Sequence, residues 1–159
     1  MRAVLQRVRH ARVEVEDRIV GQIGLGLLVL LGVEKGDGAA DVGTIASKLR
    51  ELRIFDDDGG ADGRRRMNRS VVDVGGAVLV VSQFTLAADC RRGRRPSFDA
   101  AAAPDDARRL YEDVVAELRT AGLSVETGEF QAAMRVTLEN DGPVTFVLES
   151  RRAGEGVQP

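Results

Sequence analysis

Two short stretches hold the residues best suited to chemistry. In VVSQFTLAADCRRGRRPSF (80–98) an apolar run ends in Ser82, Gln83 and Thr85, and Arg91, Arg92, Arg94 and Arg95 then fall within five positions. Hydroxyl and amide groups at the end of a strand, beside a basic loop, can hold a phosphate-bearing substrate. The same stretch also fits a strand end followed by a solvated charged loop, and spacing alone leaves both open. In NDGPVT (140–145), Asp-Gly between two alternating runs signals a hairpin. Pro143, however, cannot donate to a strand ladder. Proline in such a turn can take a cis bond; an ordinary trans turn is the alternative.

Other chemistries lack their residues. His10 is the single histidine, lies among arginines, and fits a solvated surface position better than a Ser-His-Asp triad. One histidine and one cysteine, Cys90, cannot build a closed metal site, so no metal is expected. Asp56, Asp57 and Asp58 could attract a hard cation, but their glycine-rich surroundings favour a solvated loop. GQIGLG (21–26) lacks the spacing of a nucleotide-binding fingerprint, and no phosphate-binding GKS/GKT loop is present. No cofactor is expected.

These residues must be positioned by regular elements. Residues 2–8 and 12–16 are expected as two short strands and DRIVGQIG as a third. The apolar run 25–33 fits a strand buried on both faces. Asp41 is expected to cap a helix whose apolar positions are Val42, Ile45, Ala46, Leu49 and Leu52. Residues 53–70 read as an exposed loop, 76–86 as a strand and 87–104 as a long loop. Pro104 opens a second helix with Asp105 and Asp106 in its first turn and the stripe Ala107, Leu110, Tyr111, Val114, Val115 and Leu118. Gly122 can end it. Strands at 123–127, 131–139 and 144–149 follow. Strands with two amphipathic helices on one side give an α+β fold of layered, mainly antiparallel sheet.

The 159 residues fit one domain, expected over 1–150, with a polar tail at 151–159 that should fray. A net charge of −2 excludes a generally basic nucleic-acid binder and confines any such affinity to a local patch. The lone cysteine suits a reducing, cytoplasmic setting. No signal segment or membrane-spanning run is apparent, and a soluble protein without membrane partners is expected.

SQFTL and NDGPVT together resemble the D-aminoacyl-tRNA deacylases, also called D-tyrosyl-tRNA deacylases. LQRVRHARV, GLLVLLGVEKGD, RIF, RPSF and TGEFQAAM fall in the family's order, and the likeness covers most of 1–149. The loop around 56–66, longer than usual, and the tail after 149 depart from it. The resemblance implies an α/β/β-layered homodimer with active sites at the subunit interface, acting on aminoacyl-tRNA. It implies that Gly142-Pro143 is a cis peptide reaching into the other subunit's pocket, where its carbonyl oxygens exclude L-aminoacyl groups and admit D-aminoacyl groups and glycine. Arg7 matches the arginine that braces this turn. It follows Ala3 and Leu5 on one strand face, an odd place for a guanidinium unless its donors hold carbonyls.

The implied reaction is hydrolysis of the ester between an amino acid and the terminal ribose of tRNA. Thr85 could be the nucleophile, but no base accompanies it in sequence. The alternative lets the RNA 2′-hydroxyl assist water, while Ser82 and Gln83 hold substrate and the backbone N–H groups near Phe84 and Thr85 receive the oxyanion. The second is favoured. Phe130 and Met134 match positions at the adenosine end of the pocket, although core packing explains both. Arg91, Arg92, Arg94 and Arg95 would meet tRNA phosphates. Rival readings are a non-catalytic tRNA-binding module using the basic loop, and a hydrolase of free D-amino-acid esters.

Overall fold

The computed structural model describes residues 1–57, 59, 65–91 and 93–150. In chain order the elements are β1 (Arg2–Val15), β2 (Arg18–Ile23), β3 (Gly26–Gly32), α1 (Ala39–Glu51), β4 (Phe55–Asp56), β5 (Met67–Arg69), β6 (Ala77–Ser82), a 3₁₀ turn (Phe84–Ala87), α2 (Pro104–Thr120), β7 (Val125–Thr127) and β8 (Arg135–Glu149). One six-stranded sheet runs β2-β1-β3-β6-β7, with β8 laid along β1 as well. Pairings around β1 are antiparallel, whereas β3, β6 and β7 are parallel.

The apolar pattern explains the layers. Both faces of β3 are buried, as its unbroken run of apolar residues requires. One face of the sheet meets α1 and α2 through Leu5, Leu27, Ile45, Leu49, Leu110, Val114 and Leu118. The other packs Val8, Ala11, Val13, Leu28, Leu79 and Val81 beneath Met134, Val136 and Leu138, with no helical residue in that cluster. The helices therefore lie on one side. Each fully buried Leu or Val contributes about 1.5–3 kcal/mol relative to exposure. Pro104 stands in the first turn of α2 with Asp105 and Asp106 beside it, and Gly122 is left-handed just past the helix end.

Several sequence expectations need correction. The strands expected at 2–8 and 12–16 are a single strand, β1, because β8 supports it along both halves. Gly38, not Asp41, is the N-cap of α1. Asp41 is the third residue of the helix, within its first turn, and its carboxylate accepts the Gly38 N–H at 2.9 Å. The loop 53–70 contains a small hairpin, β4 with β5, and buries Ile54 and Phe55. The strand expected at 76–86 stops at Ser82, and the 3₁₀ turn starts at Phe84 after Gln83.

The largest correction concerns NDGPVT. It does not join two strands of a hairpin. β8 pairs with β1 on both sides of it, Thr145 opposite Gln6 and Asn140 opposite Val8. Residues 141–144 thus stand opposite Arg7 alone and bulge from the ladder. Alternating patterns on either side look the same for a hairpin and for one bulged strand, so the partner strand decides between them. The tail 151–159 lies outside the described residues.

Candidate active site

A cavity of about 620 Å³ opens at the carboxyl ends of the parallel strands β3 and β6. Leu31, Val33, Val81 and Ser82 form its floor, Gln83 and Phe84 one rim, and Pro104, Ala107 and Tyr111 of α2 a wall. Phe130, Gln131, Met134 and Val136 close the opposite side. The ends of parallel strands are where open sheets leave space for ligands, because the chain diverges there into separate loops.

The SQFTL segment is fixed by its backbone. Gln83 N–H donates to the Leu31 carbonyl at 2.8 Å, docking the 3₁₀ turn onto β3. Gly32 permits that approach: a side chain there would meet Gln83 O and Leu86 Cβ at 2.9 Å. The turn's first hydrogen bond runs from Leu86 N–H to Gln83 O. The N–H groups of Phe84 and Thr85 precede it, as the first amides of a helical turn do. Gln83 Nε2 donates to Thr85 Oγ1 at 2.5 Å. An amide donor cannot take a proton, and among the described residues no base partners the Thr85 hydroxyl.

No carboxylate, imidazole, thiol, ammonium or guanidinium lines the cavity among the described residues; its ionisable group is the Tyr111 phenol. Burial pushes that phenol up to about 12, and its hydroxyl donates to the Val80 carbonyl at 2.9 Å. It stays protonated at neutral pH and is not a base. Phe130 contacts the Tyr111 ring, at 5.9 Å between centroids, and carries the Arg108 guanidinium over its own ring at 4.6 Å. Gln131 follows in a left-handed conformation and accepts from Arg108 at 3.3 Å.

A second cluster forms around the bulge of β8. Arg7 is 7% exposed, which only a paired guanidinium tolerates. Its Nε donates to Asp141 O and one terminal nitrogen to Ile54 O, both at 2.8 Å. Asn140 clasps the bulge from within: Val144 N–H donates to its Oδ1 at 2.8 Å, and its Nδ2 donates to Val144 O at 3.1 Å. The peptide Gly142-Pro143 is cis. Both residues are exposed, and neither lines the cavity of its own chain.

Ser82, Gln83, Phe84, Phe130 and Met134 therefore meet around one cavity. Thr85 is held beside it by Gln83. Arg7, Gly142 and Pro143 form the separate bulge cluster. Of the basic segment, Arg91 is bound by Asp89 at 2.7 and 2.9 Å, and this pair holds the Asp89 carboxyl at about 2. Arg94 and Arg95 are exposed, and Arg92 lies outside the described residues. His10 is on the surface near Glu139. Asp56 touches Arg7, Asp57 accepts the Arg66 and Gly59 N–H groups, and Asp58 lies outside the described residues. Among the described residues no group of three acids, histidines or cysteines converges as a metal site.

Sequence reasoning missed Tyr111 and Asn140. Tyr111 was hidden in the apolar stripe of α2. Asn140 did carry a signal: asparagine at the start of a turn often bonds nearby backbone.

Together these features define an α+β protein with a mixed sheet, helices on one face, and a cavity poor in acids and bases at the parallel strand ends. A family model described as D-Tyr-tRNA(Tyr) deacylase matches residues 4–149, and the chain belongs to that family. It is 61% identical over 152 residues to the D-aminoacyl-tRNA deacylase of Syntrophotalea carbinolica, covering 96% of this chain and 99% of the relative. Identity is also 61% to that of Heliobacterium modesticaldum, over 95% and 97% of the two chains. Among solved structures, one described as a c-Myc DNA unwinding element binding protein superposes with a TM-score of 0.85 at 36% identity, covering 95% of this chain and 99% of the other. A probable eukaryotic D-amino acid tRNA deacylase shares the fold, with a TM-score of 0.77 at 18% identity over 92% and 97% of the chains.

Proposed function

We propose that this protein hydrolyses the ester of D-aminoacyl-tRNA, and of glycyl-tRNA, to free amino acid and tRNA. Family membership supports the substrate class. The observation that carries the mechanism is the cavity lining, which holds Ser82, Gln83 and Phe84 but no general base among the described residues. A site of that kind suits a substrate that brings its own hydroxyl.

In this reading water attacks the ester carbonyl carbon and the bond to the ribose 3′ oxygen breaks. The neighbouring 2′-hydroxyl takes a proton from that water as it gives its own to the leaving 3′ oxygen, so free amino acid and a 3′-hydroxyl result. Ser82 and Gln83 hold the aminoacyl group. The N–H groups of Phe84 and Thr85 face the oxyanion, where preorganised donors contribute most. Phe130 and Met134 take the adenosine, and Arg91, Arg92, Arg94 and Arg95 meet phosphates.

Gly142 and Pro143 act in trans. They are exposed at a bulge braced by Arg7 and Asn140, and they stand outside their own cavity. Exposed Val147 follows on the same strand with Val4 opposite it on β1, an apolar surface suited to cover by a second copy. In a homodimer the bulge of one subunit enters the other's cavity. Its carbonyl oxygens leave room for hydrogen or a D side chain and collide with an L side chain. Exclusion by collision discriminates further than a gain of a few contacts. The working unit is residues 1–150, in the cytoplasm where tRNA is charged.

The test is release of free tyrosine from D-Tyr-tRNA, L-Tyr-tRNA and a D-tyrosine ester. Turnover of the first alone is expected. Binding of tRNA without release would favour a non-catalytic module, and turnover of the simple ester a general esterase. D-Tyr-tRNA ending in 2′-deoxyadenosine should be nearly inert, and full activity on it would remove the 2′-hydroxyl from the mechanism.

A further inference from the structure

We propose that Phe84 and Phe98 form a stacking platform for the base that precedes the terminal adenosine of the tRNA. This rests on the deacylase reading and extends it from the ester outward along the RNA.

The two rings touch, with centroids 5.0 Å apart and planes tilted by 51°. Both face solvent, at 61% and 40% exposure, so the pair leaves aromatic surface open to water. Phe84 is also part of the cavity rim, so the pair marks a path from cavity to surface. Phe98 adjoins the root of the basic loop. Asp89 and Ser97 exchange main-chain hydrogen bonds of 2.8 and 2.9 Å there, closing the loop that carries Arg94 and Arg95. Neither arginine has a hydrogen-bond or ion-pair partner among the described residues.

The order along this path is cavity, aromatic pair, then exposed cations. That order fits an unpaired RNA strand leaving the cavity, with a base on the rings and phosphates on the guanidiniums. The 3′ end of tRNA is such a strand. Any base has a face to stack, so the platform would hold the strand without selecting among tRNAs.

Two measurements on the full-length protein test this. Uncharged tRNA with 2-aminopurine in place of the penultimate cytidine should lose fluorescence on binding wild type, and not on binding Phe98→Ala. For catalysis, the kcat/KM ratio of D-Tyr-tRNA to D-tyrosyl-adenosine should fall about tenfold in Phe98→Ala, or about 1.4 kcal/mol, with the loss in KM. Phe98→Tyr should restore it. An unchanged ratio, equal loss on both substrates, or no quenching by wild type would overturn the platform. The quenching assay needs no hydrolysis, so it judges the platform even if D-Tyr-tRNA is not turned over. That latter result would count against the deacylase reading instead.

Discussion

Arg7 and Asp141 are 134 residues apart in sequence, yet the Arg7 Nε donates to the Asp141 carbonyl at 2.8 Å, directly before Gly142. The same guanidinium holds the Ile54 carbonyl. One buried side chain therefore ties the bulge of β8 to the loop after α1. Arg7→Lys keeps the charge but replaces a planar fork with a point donor that cannot serve both carbonyls. Unfolding free energy in urea should fall by about 1–3 kcal/mol, the cost of a buried acceptor left unmade. Preference for D-Tyr-tRNA over L-Tyr-tRNA should fall with it. A variant of unchanged stability and selectivity would show that Arg7 does not hold the bulge.

Gly142→Ala tests the bulge from its other side. A Cβ there would collide with Val144 N, a backbone atom that cannot swing away as a side chain could. The segment must shift, and the Asn140 clasp on Val144 shifts with it. Misplacement by about 1 Å can cost about a hundredfold in rate. Deacylation of D-Tyr-tRNA should drop at least tenfold (about 1.4 kcal/mol), measured on protein whose cooperative melting shows that it is folded. Near-normal kcat/KM would remove Gly142 from the site.

Thr85→Ala separates two chemistries. The Thr85 hydroxyl receives a hydrogen bond from Gln83 and has no base as partner among the described residues. If its backbone alone matters, single-turnover rates should stay within about threefold of wild type. Abolished turnover in a folded variant would make Thr85 the nucleophile.

Tyr111 predicts an alkaline limit to stability. Its phenol is raised to about 12 by burial, against about 10 when unfolded. Below pH 10 both states keep the proton and the contribution is fully present. Between pH 10 and 12 the unfolded state releases its proton first, so stability falls as pH rises. The loss should reach about 2–3 kcal/mol near pH 12. Tyr111→Phe should lack this component. At neutral pH that variant should cost about 0.5–1.5 kcal/mol for the lost bond to Val80 O, which also accepts from Gly128 N–H. Urea denaturation across the pH range measures both, and equal pH slopes would contradict the buried phenol.

Arg94 and Arg95 should set the salt response. They are exposed on the basic loop, whereas Arg91 is held by Asp89. Replacing both with Ala should lower the slope of log K against log salt by about 1–2 for tRNA binding, because each phosphate contact releases counterions. An unchanged slope would place the RNA elsewhere.

Local pattern was sufficient where one segment carries its own reason to fold. The stripe of α2, with Pro104 and two aspartates at its start, specifies a helix without outside help. The unbroken apolar run of β3 requires burial on both faces. Arg7 was visible as a charge on an apolar strand face, and SQFTL as polar groups at a strand end. Pairing was not visible. Whether 2–16 was one strand or two, and whether NDGPVT closed a hairpin or bulged from a single strand, depended on β8 lying along all of β1.

The residue order by itself determined which segments could be helix or strand, which chemistries lacked their side chains, and where a guanidinium stood out of place. Only the tertiary structure decided that Leu31, Ser82, Tyr111 and Phe130 enclose one space, and that Arg7 grips the backbone before Gly142. Periodicity encodes which face of a segment avoids water. It does not encode which distant face will cover it, because that choice is made by packing among segments far apart in the chain.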